Sequence, residues 1–213
     1  MREKTVLCFG DSNTWGASPE LGVRFDRWNR WPGVLQNELG DEFHVIEEGL
    51  PGRTTVWDDP VEGNKNGLTH LIPLIHSHMP LDLLIILLGT NDFKNRFSVS
   101  PQDIATSIGR LVKTARESSH PVLGEAPEVL VVCPPPLADL SESPFRDILI
   151  GAAEKSQQLP AVLEAYCGQA TIPFFDSRAV IETSPRDGVH WEASEHQKLG
   201  VALARKVRGL LPA

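Results

Sequence analysis

Two short stretches far apart in the chain hold the residue types that acyl transfer needs. Ser12 lies in C-F-G-D-S-N-T-W-G, and His190 lies in D-G-V-H-W with Asp187 three residues before it. A serine hydroxyl becomes a nucleophile when an imidazole with a near-neutral pKa takes its proton and later returns it to a leaving group. A carboxylate on the other ring nitrogen fixes the tautomer and stabilises the imidazolium, which is the role open to Asp187. Gly52, in G-L-P-G-R-T-T, offers a backbone N–H with no side chain in the way, and Asn91, in L-G-T-N-D, offers a side-chain amide. With the Ser12 N–H these make three donors for a tetrahedral oxyanion. Each residue also has a plain structural use. Ser12 reads equally as a helix N-cap, Gly52 as a turn glycine and Asn91 as an Asx-turn residue. The convergence of several segments is what favours a site.

Asp11, Trp15 and Trp191 flank these groups and are expected to border the substrate, the tryptophans as walls of an apolar acyl or alcohol pocket. The other six histidines lack such company. His76 and His78 are two residues apart, the wrong spacing for one helical face, so no metal site and no cofactor are expected.

The elements that must position these groups follow from patterning. Apolar, strand-like runs occupy Thr5–Phe9, Phe43–Glu47, Leu81–Leu88 and Val129–Cys133, with a weaker one at Ile172–Phe175. The third is apolar on successive residues, as suits a parallel strand buried on both faces. Helical spacing appears at Trp31, Val34, Leu35 and Leu39, closed by Gly40, and at Ile104, Ile108, Leu111 and Val112, opened by Ser100 and Pro101. A C-terminal helix carries Leu199, Leu203 and Val207. Alternating strands and helices predict one α/β domain over residues 1–213, built on a parallel five-stranded sheet with right-handed crossovers. Ligands bind such sheets beyond the carboxyl ends of the strands, where all the polar blocks fall. The irregular stretches 17–29, 51–66 and 134–144 are expected to line or cover the site.

Bulk properties narrow the partners. The chain has 213 residues, 41% of them hydrophobic and 23% charged, which suits one buried core. A formal net charge of -8 without a basic run argues against a nucleic-acid partner. No apolar run is long enough to span a bilayer and the N-terminus has no secretory h-region, so a cytoplasmic location is expected. Cys8, Cys133 and Cys167 have no metal-binding spacing, and Cys8 and Cys133 sit in apolar runs as buried thiols would.

Taken in order, F-G-D-S-N-T-W-G, G-L-P-G-R, L-G-T-N-D and D-G-V-H-W resemble the four blocks of the SGNH (GDSL-type) hydrolases and span nearly the whole chain. The longer runs V-I-E-E-G-L-P-G-R-T-T, D-L-L-I-I-L-L-G-T-N-D-F-K, V-L-V-V-C-P-P-P-L and P-F-F-D resemble the arylesterase/acyltransferase branch. The resemblance implies a three-layer α/β/α flavodoxin-like fold. It also implies Ser12 as nucleophile, His190 as base, Asp187 as its orienter, and Ser12, Gly52 and Asn91 as oxyanion hole. The implied activity is cleavage of small acyl or aryl esters, with acyl transfer to alcohols or hydrogen peroxide. The same branch implies a dimer-based homo-oligomer, up to an octamer, with 17–29 and 134–144 as interface segments. Asn13 stands where the family motif has leucine, a difference expected to touch substrate preference only. Two other readings compete. One is a carbohydrate O-acetyl esterase. The other is a non-enzymatic flavodoxin-like module, which would leave Asp187 and His190 without a use.

Overall fold

The computed structural model describes residues 2–212. Five parallel strands form one sheet in the order β2-β1-β3-β4-β5: β1 Lys4–Gly10, β2 Phe43–Gly49, β3 Leu83–Leu87, β4 Glu128–Cys133 and β5 Phe174–Asp176. Among the described residues six α-helices accompany them: α1 Ser12–Trp15, α2 Trp31–Leu39, α3 Gly67–Ser77, α4 Pro101–Arg116, α5 Ala152–Gln169 and α6 Ala193–Leu210. The expected five-stranded parallel sheet and three layers are present.

The layering follows from the strand period of two. In β1, Val6 and Cys8 face one core while Leu7 and Phe9 face the other; in β3, Leu83, Ile85 and Leu87 oppose Leu84 and Ile86. The first core is closed by Trp31, Leu35 and Leu39 of α2 with Leu199, Leu203 and Val207 of α6. The second is closed by α3, α4 and α5 through Leu71, Ile75, Ile104, Ile108, Leu159 and Leu163. Cys8, Cys133 and Cys167 are buried free thiols in these cores.

Local signals set several helix ends. Ser100 Oγ accepts the Asp103 N–H at 3.1 Å while the Asp103 carboxylate accepts the Ser100 N–H at 2.8 Å, a reciprocal capping box with Pro101 at the first helical position. Gly40 ends α2 as expected. The start of β1 and the last described residues meet at the amino end of the strands, where Lys4 Nζ donates to the carbonyls of Leu211 at 3.2 Å and Pro212 at 2.5 Å. No helix among the described residues is long and apolar enough to cross a membrane.

The chain runs from β1 to β2 on one side and then returns to place β3 on the other. The strand order therefore reverses between β1 and β3, and their carboxyl ends leave a crevice there.

Candidate active site

Ser12 emerges at that crevice. β1 ends at Gly10, and the carboxylate of Asp11 accepts the Asn13 N–H at 3.0 Å, so Asp11 and not Ser12 caps the short helix α1. The N-cap reading of Ser12 is thereby corrected: Ser12 is the first helical residue, and its hydroxyl is left free for another partner. Gly16, with φ of 91°, ends the helix after one turn.

That partner is His190. Its Nε2 lies 3.0 Å from Ser12 Oγ and its Nδ1 lies 2.6 Å from Asp187 Oδ2. Asp187 Oδ1 accepts the backbone N–H groups of Val189 and His190, each at 2.9 Å. Burial raises the carboxyl pKa, but the imidazole and the two N–H donors outweigh it and hold Asp187 below the usual carboxylate range. An ionised carboxylate only accepts, which puts the proton on Nδ1 and leaves Nε2 to accept the Ser12 hydroxyl. The loop itself is pinned. Gly188, with φ of 76°, packs where a Cβ would lie 2.7 Å from Leu140 Cδ2 and 2.8 Å from the Asp139 carbonyl. Its carbonyl accepts the Ala138 N–H at 3.1 Å, and Ser143 Oγ donates to the Asp187 carbonyl.

The proposed donors converge on the same spot. The Gly10 carbonyl accepts both the Leu50 N–H at 3.1 Å and Arg53 Nη1 at 2.9 Å, which locks the loop after β2 to the end of β1. Arg53 is buried with its guanidinium 4.2 Å from the centre of the Phe9 ring, and burial lowers its pKa to about 10. Between Leu50 and Arg53 sits Gly52 with φ of 83°. Neither the Gly52 N–H nor the Ser12 N–H has an acceptor among the described residues. Asn91 opens the turn after β3 and donates one Nδ2 hydrogen to Asp11 Oδ2 at 3.4 Å, leaving the other free. Beside it the buried Asp92 accepts the Thr55 N–H at 3.1 Å and the Thr55 hydroxyl.

Ser12, Gly52, Asn91 and His190 line one cavity of about 410 Å³. Trp15, Leu21, Val23, Phe145, Ile148 and Leu149 give it apolar walls, and the Phe145 and His190 rings meet in a T-shaped contact with centroids 5.6 Å apart. Trp15 thus stands where expected, with Arg24 stacked on its ring. Two expectations are corrected. Trp191 is 1% exposed and lies in the α2/α6 core, 5.4 Å from the His196 ring, so it does not border the cavity. Asp11 is fully buried and touches Asn91 and Asn13 instead of the cavity; desolvation raises its pKa to about 6. Asn13, the departure from the family motif, is also buried, and its Nδ2 donates to the Val189 carbonyl at 3.4 Å, so it joins α1 to the His190 loop. Asp176 is held by Arg178 at 2.6 Å.

The stretches 17–29 and 51–66 both reach the cavity. The third irregular stretch runs on beyond residue 144, and its cavity residues, Phe145, Ile148 and Leu149, all lie past that expected boundary. Lys94 and Glu62, which also line the cavity, were not singled out by residue type; the K in N-D-F-K, three residues after Asn91, was the available signal. Among the described residues no group of three or more His, Cys, Asp or Glu is placed to hold a metal ion.

The model of the GDSL-like lipase/acylhydrolase family matches residues 8–197. This chain belongs to that family. Among solved structures, the native aryl esterase of M. smegmatis is 45% identical, with 98% of this chain and 100% of that one aligned at a TM-score of 0.94. The inhibitor-bound form of the same esterase aligns with the same coverage and score at 44% identity. A carbohydrate acetylesterase from Sinorhizobium meliloti is 41% identical over 98% of this chain and 100% of its own, also at 0.94. No curated protein sequence matches the chain. For this family member, residues 8–197 take in every residue that lines the cavity beside Ser12.

Proposed function

We propose that this protein is a serine esterase that cleaves small acyl and aryl esters through an acyl-enzyme. The observation that carries the reading is the hydrogen-bonded series Ser12 Oγ, His190 and Asp187 opening beside unpaired N–H groups in an apolar cavity. Ser12 Oγ attacks the ester carbonyl carbon while His190 Nε2 takes its proton. The carbonyl electron pair becomes an oxyanion received by the N–H groups of Ser12 and Gly52 and the Asn91 amide. Collapse expels the alcohol, which takes the proton from His190 and leaves Ser12 acylated. Water then attacks the acyl carbon while His190 Nε2 takes its proton; collapse breaks the bond to Ser12 Oγ, which regains the proton from His190, and the acid is released. An alcohol or hydrogen peroxide entering in place of water gives acyl transfer by the same steps, and the apolar walls favour that competition. A cavity of about 410 Å³ suits short acyl chains and single aryl groups.

The 41% identity to a carbohydrate acetylesterase supports a second substrate class, acetylated sugars, on the same machinery. Comparing aryl acetate with acetylated sugars as substrates separates the two.

Ser12→Ala is expected to abolish both burst hydrolysis of p-nitrophenyl acetate and covalent labelling by a fluorophosphonate. Activity and labelling that survive the substitution would falsify the mechanism.

A further inference from the structure

The turn after β3 does more than present Asn91. Lys94 follows it directly, with its N–H on the Asn91 carbonyl at 3.2 Å. The Lys94 side chain is 4% exposed, and its ammonium crosses to the loop that carries Gly52. There it binds Asp59 Oδ2 at 3.3 Å and Glu62 Oε1. Asp59 is wholly buried and is the anchor of that loop. It accepts Arg96 Nη1 at 2.8 Å and the N–H groups of Val61 at 2.9 Å and Glu62 at 3.1 Å. From the same segment the Asn95 N–H reaches the Ile148 carbonyl at 2.9 Å, so the apolar wall is tied in as well.

The position of Glu62 gives this tie a chemical meaning. Its Oε2 lies against Gly52, in the space a side chain there would fill. A free carboxylate at that place would oppose an oxyanion forming on the Gly52 N–H, because like charges a few ångströms apart in a partly desolvated cleft repel strongly. The Lys94 ammonium answers it. Asp59 and Glu62 together meet Lys94 and Arg96, so the two negative charges are matched by two positive ones.

We propose that Lys94 is a positioning residue for the oxyanion site. It fixes the loop bearing the Gly52 N–H to the turn bearing the Asn91 amide, and it holds the Glu62 charge away from the reacting oxygen. The proposal rests on the serine-esterase reading above. Oxyanion donors act only in the transition state, so disturbing their placement lowers kcat and spares KM.

Steady-state hydrolysis of p-nitrophenyl acetate tests this on the full-length protein, with thermal melts to confirm folding. Lys94→Met is expected to lower kcat about tenfold to a hundredfold, less than outright loss of a donor, with KM within about threefold. Lys94→Arg, which keeps the cation, is expected to recover most of kcat. Adding Glu62→Gln to Lys94→Met is expected to recover about tenfold, because the unpaired carboxylate is gone. If Lys94→Met does not fold, Lys94→Gln with and without Glu62→Gln makes the same comparison. A kcat within about twofold of the parent in the single variant overturns the proposal. So does a loss that neither Lys94→Arg nor the second substitution relieves, since a purely structural role predicts no relief by removing Glu62. Ser12→Ala run alongside keeps the two readings apart. Activity that persists without Ser12 overturns the esterase mechanism, whereas a Ser12-dependent enzyme indifferent to Lys94 overturns only this proposal.

Discussion

Asp187 carries the sharpest residue-scale expectation. Its carboxylate accepts from the His190 ring and from two backbone N–H groups, and every one of those bonds favours the ionised form. An asparagine in its place can accept at one position only and turns an N–H toward the ring, which reverses the tautomer that Ser12 needs. Asp187→Asn is therefore expected to lower kcat on the order of ten-thousand-fold while the melt stays cooperative, read by steady-state kinetics and circular dichroism. Near-normal turnover would mean that another group orients His190; Asp176 is not available for this, being bound to Arg178. At this scale the sequence was most legible where chemistry and backbone need coincide. Gly52 must adopt a left-handed φ, and Ser12 lies two residues beyond β1, Asn91 four beyond β3 and His190 three before α6. It was least legible where neighbours in sequence diverge in space. His190 opens on the cavity and Trp191 turns into the core, and nothing in residue type separates the two. Asp11 is misread for a related reason, since its cap bond to Asn13 draws the carboxylate under the site instead of into it.

Among the elements, α4 shows how local signals alone can set a boundary. The Ser100–Asp103 box satisfies N–H groups that the first helical turn would otherwise leave open. Ser100→Ala is expected to cost about 1 kcal/mol, a fall of about 2–4 °C in Tm, with kcat and KM on an aryl acetate unchanged. Unaltered Tm would place the helix start under tertiary control instead. The strands were legible because each core-facing run is apolar and short, and the observed bounds differ from the patterned ones by a residue or two. Helices α3 and α5 escaped patterning because Pro73 and Pro160 sit inside them, where a proline removes a backbone donor and argues against a helix. Packing of Leu71 and Ile75, and of Leu159 and Leu163, against the sheet overrides that local objection. The site depends on these covered elements only indirectly, since its groups hang on the loops between them.

For the molecule as a whole, pH acts through groups that folding removes from water. Burial raises Asp92 to about 6 from an ordinary 3.8, and the nearby Asp11 adds to the rise. The native state therefore binds this proton more readily than the unfolded chain. The stability Asp92 contributes is greatest below about 3.8 and is lost as pH rises through about 6. His196 works the other way: burial lowers it to about 3, so stability falls as pH drops below about 6.5, but this is common to both proteins compared. Asp92→Asn is accordingly expected to gain on the parent as pH rises from about 4 to about 7, by up to about 3 kcal/mol, and to level off above. Chemical denaturation across that range measures the difference, and a gap that ignores pH would remove Asp92 as its source. At the same scale, the contact of Lys4 with Leu211 and Pro212 brings the start of β1 beside the last described residues at the amino edge of the sheet, the opposite pole from Ser12. A tether or fused domain attached at either end would therefore hold the protein by its back, with the cavity mouth turned outward. Two such attachments would pull on one pole and leave the reacting groups out of the line of force.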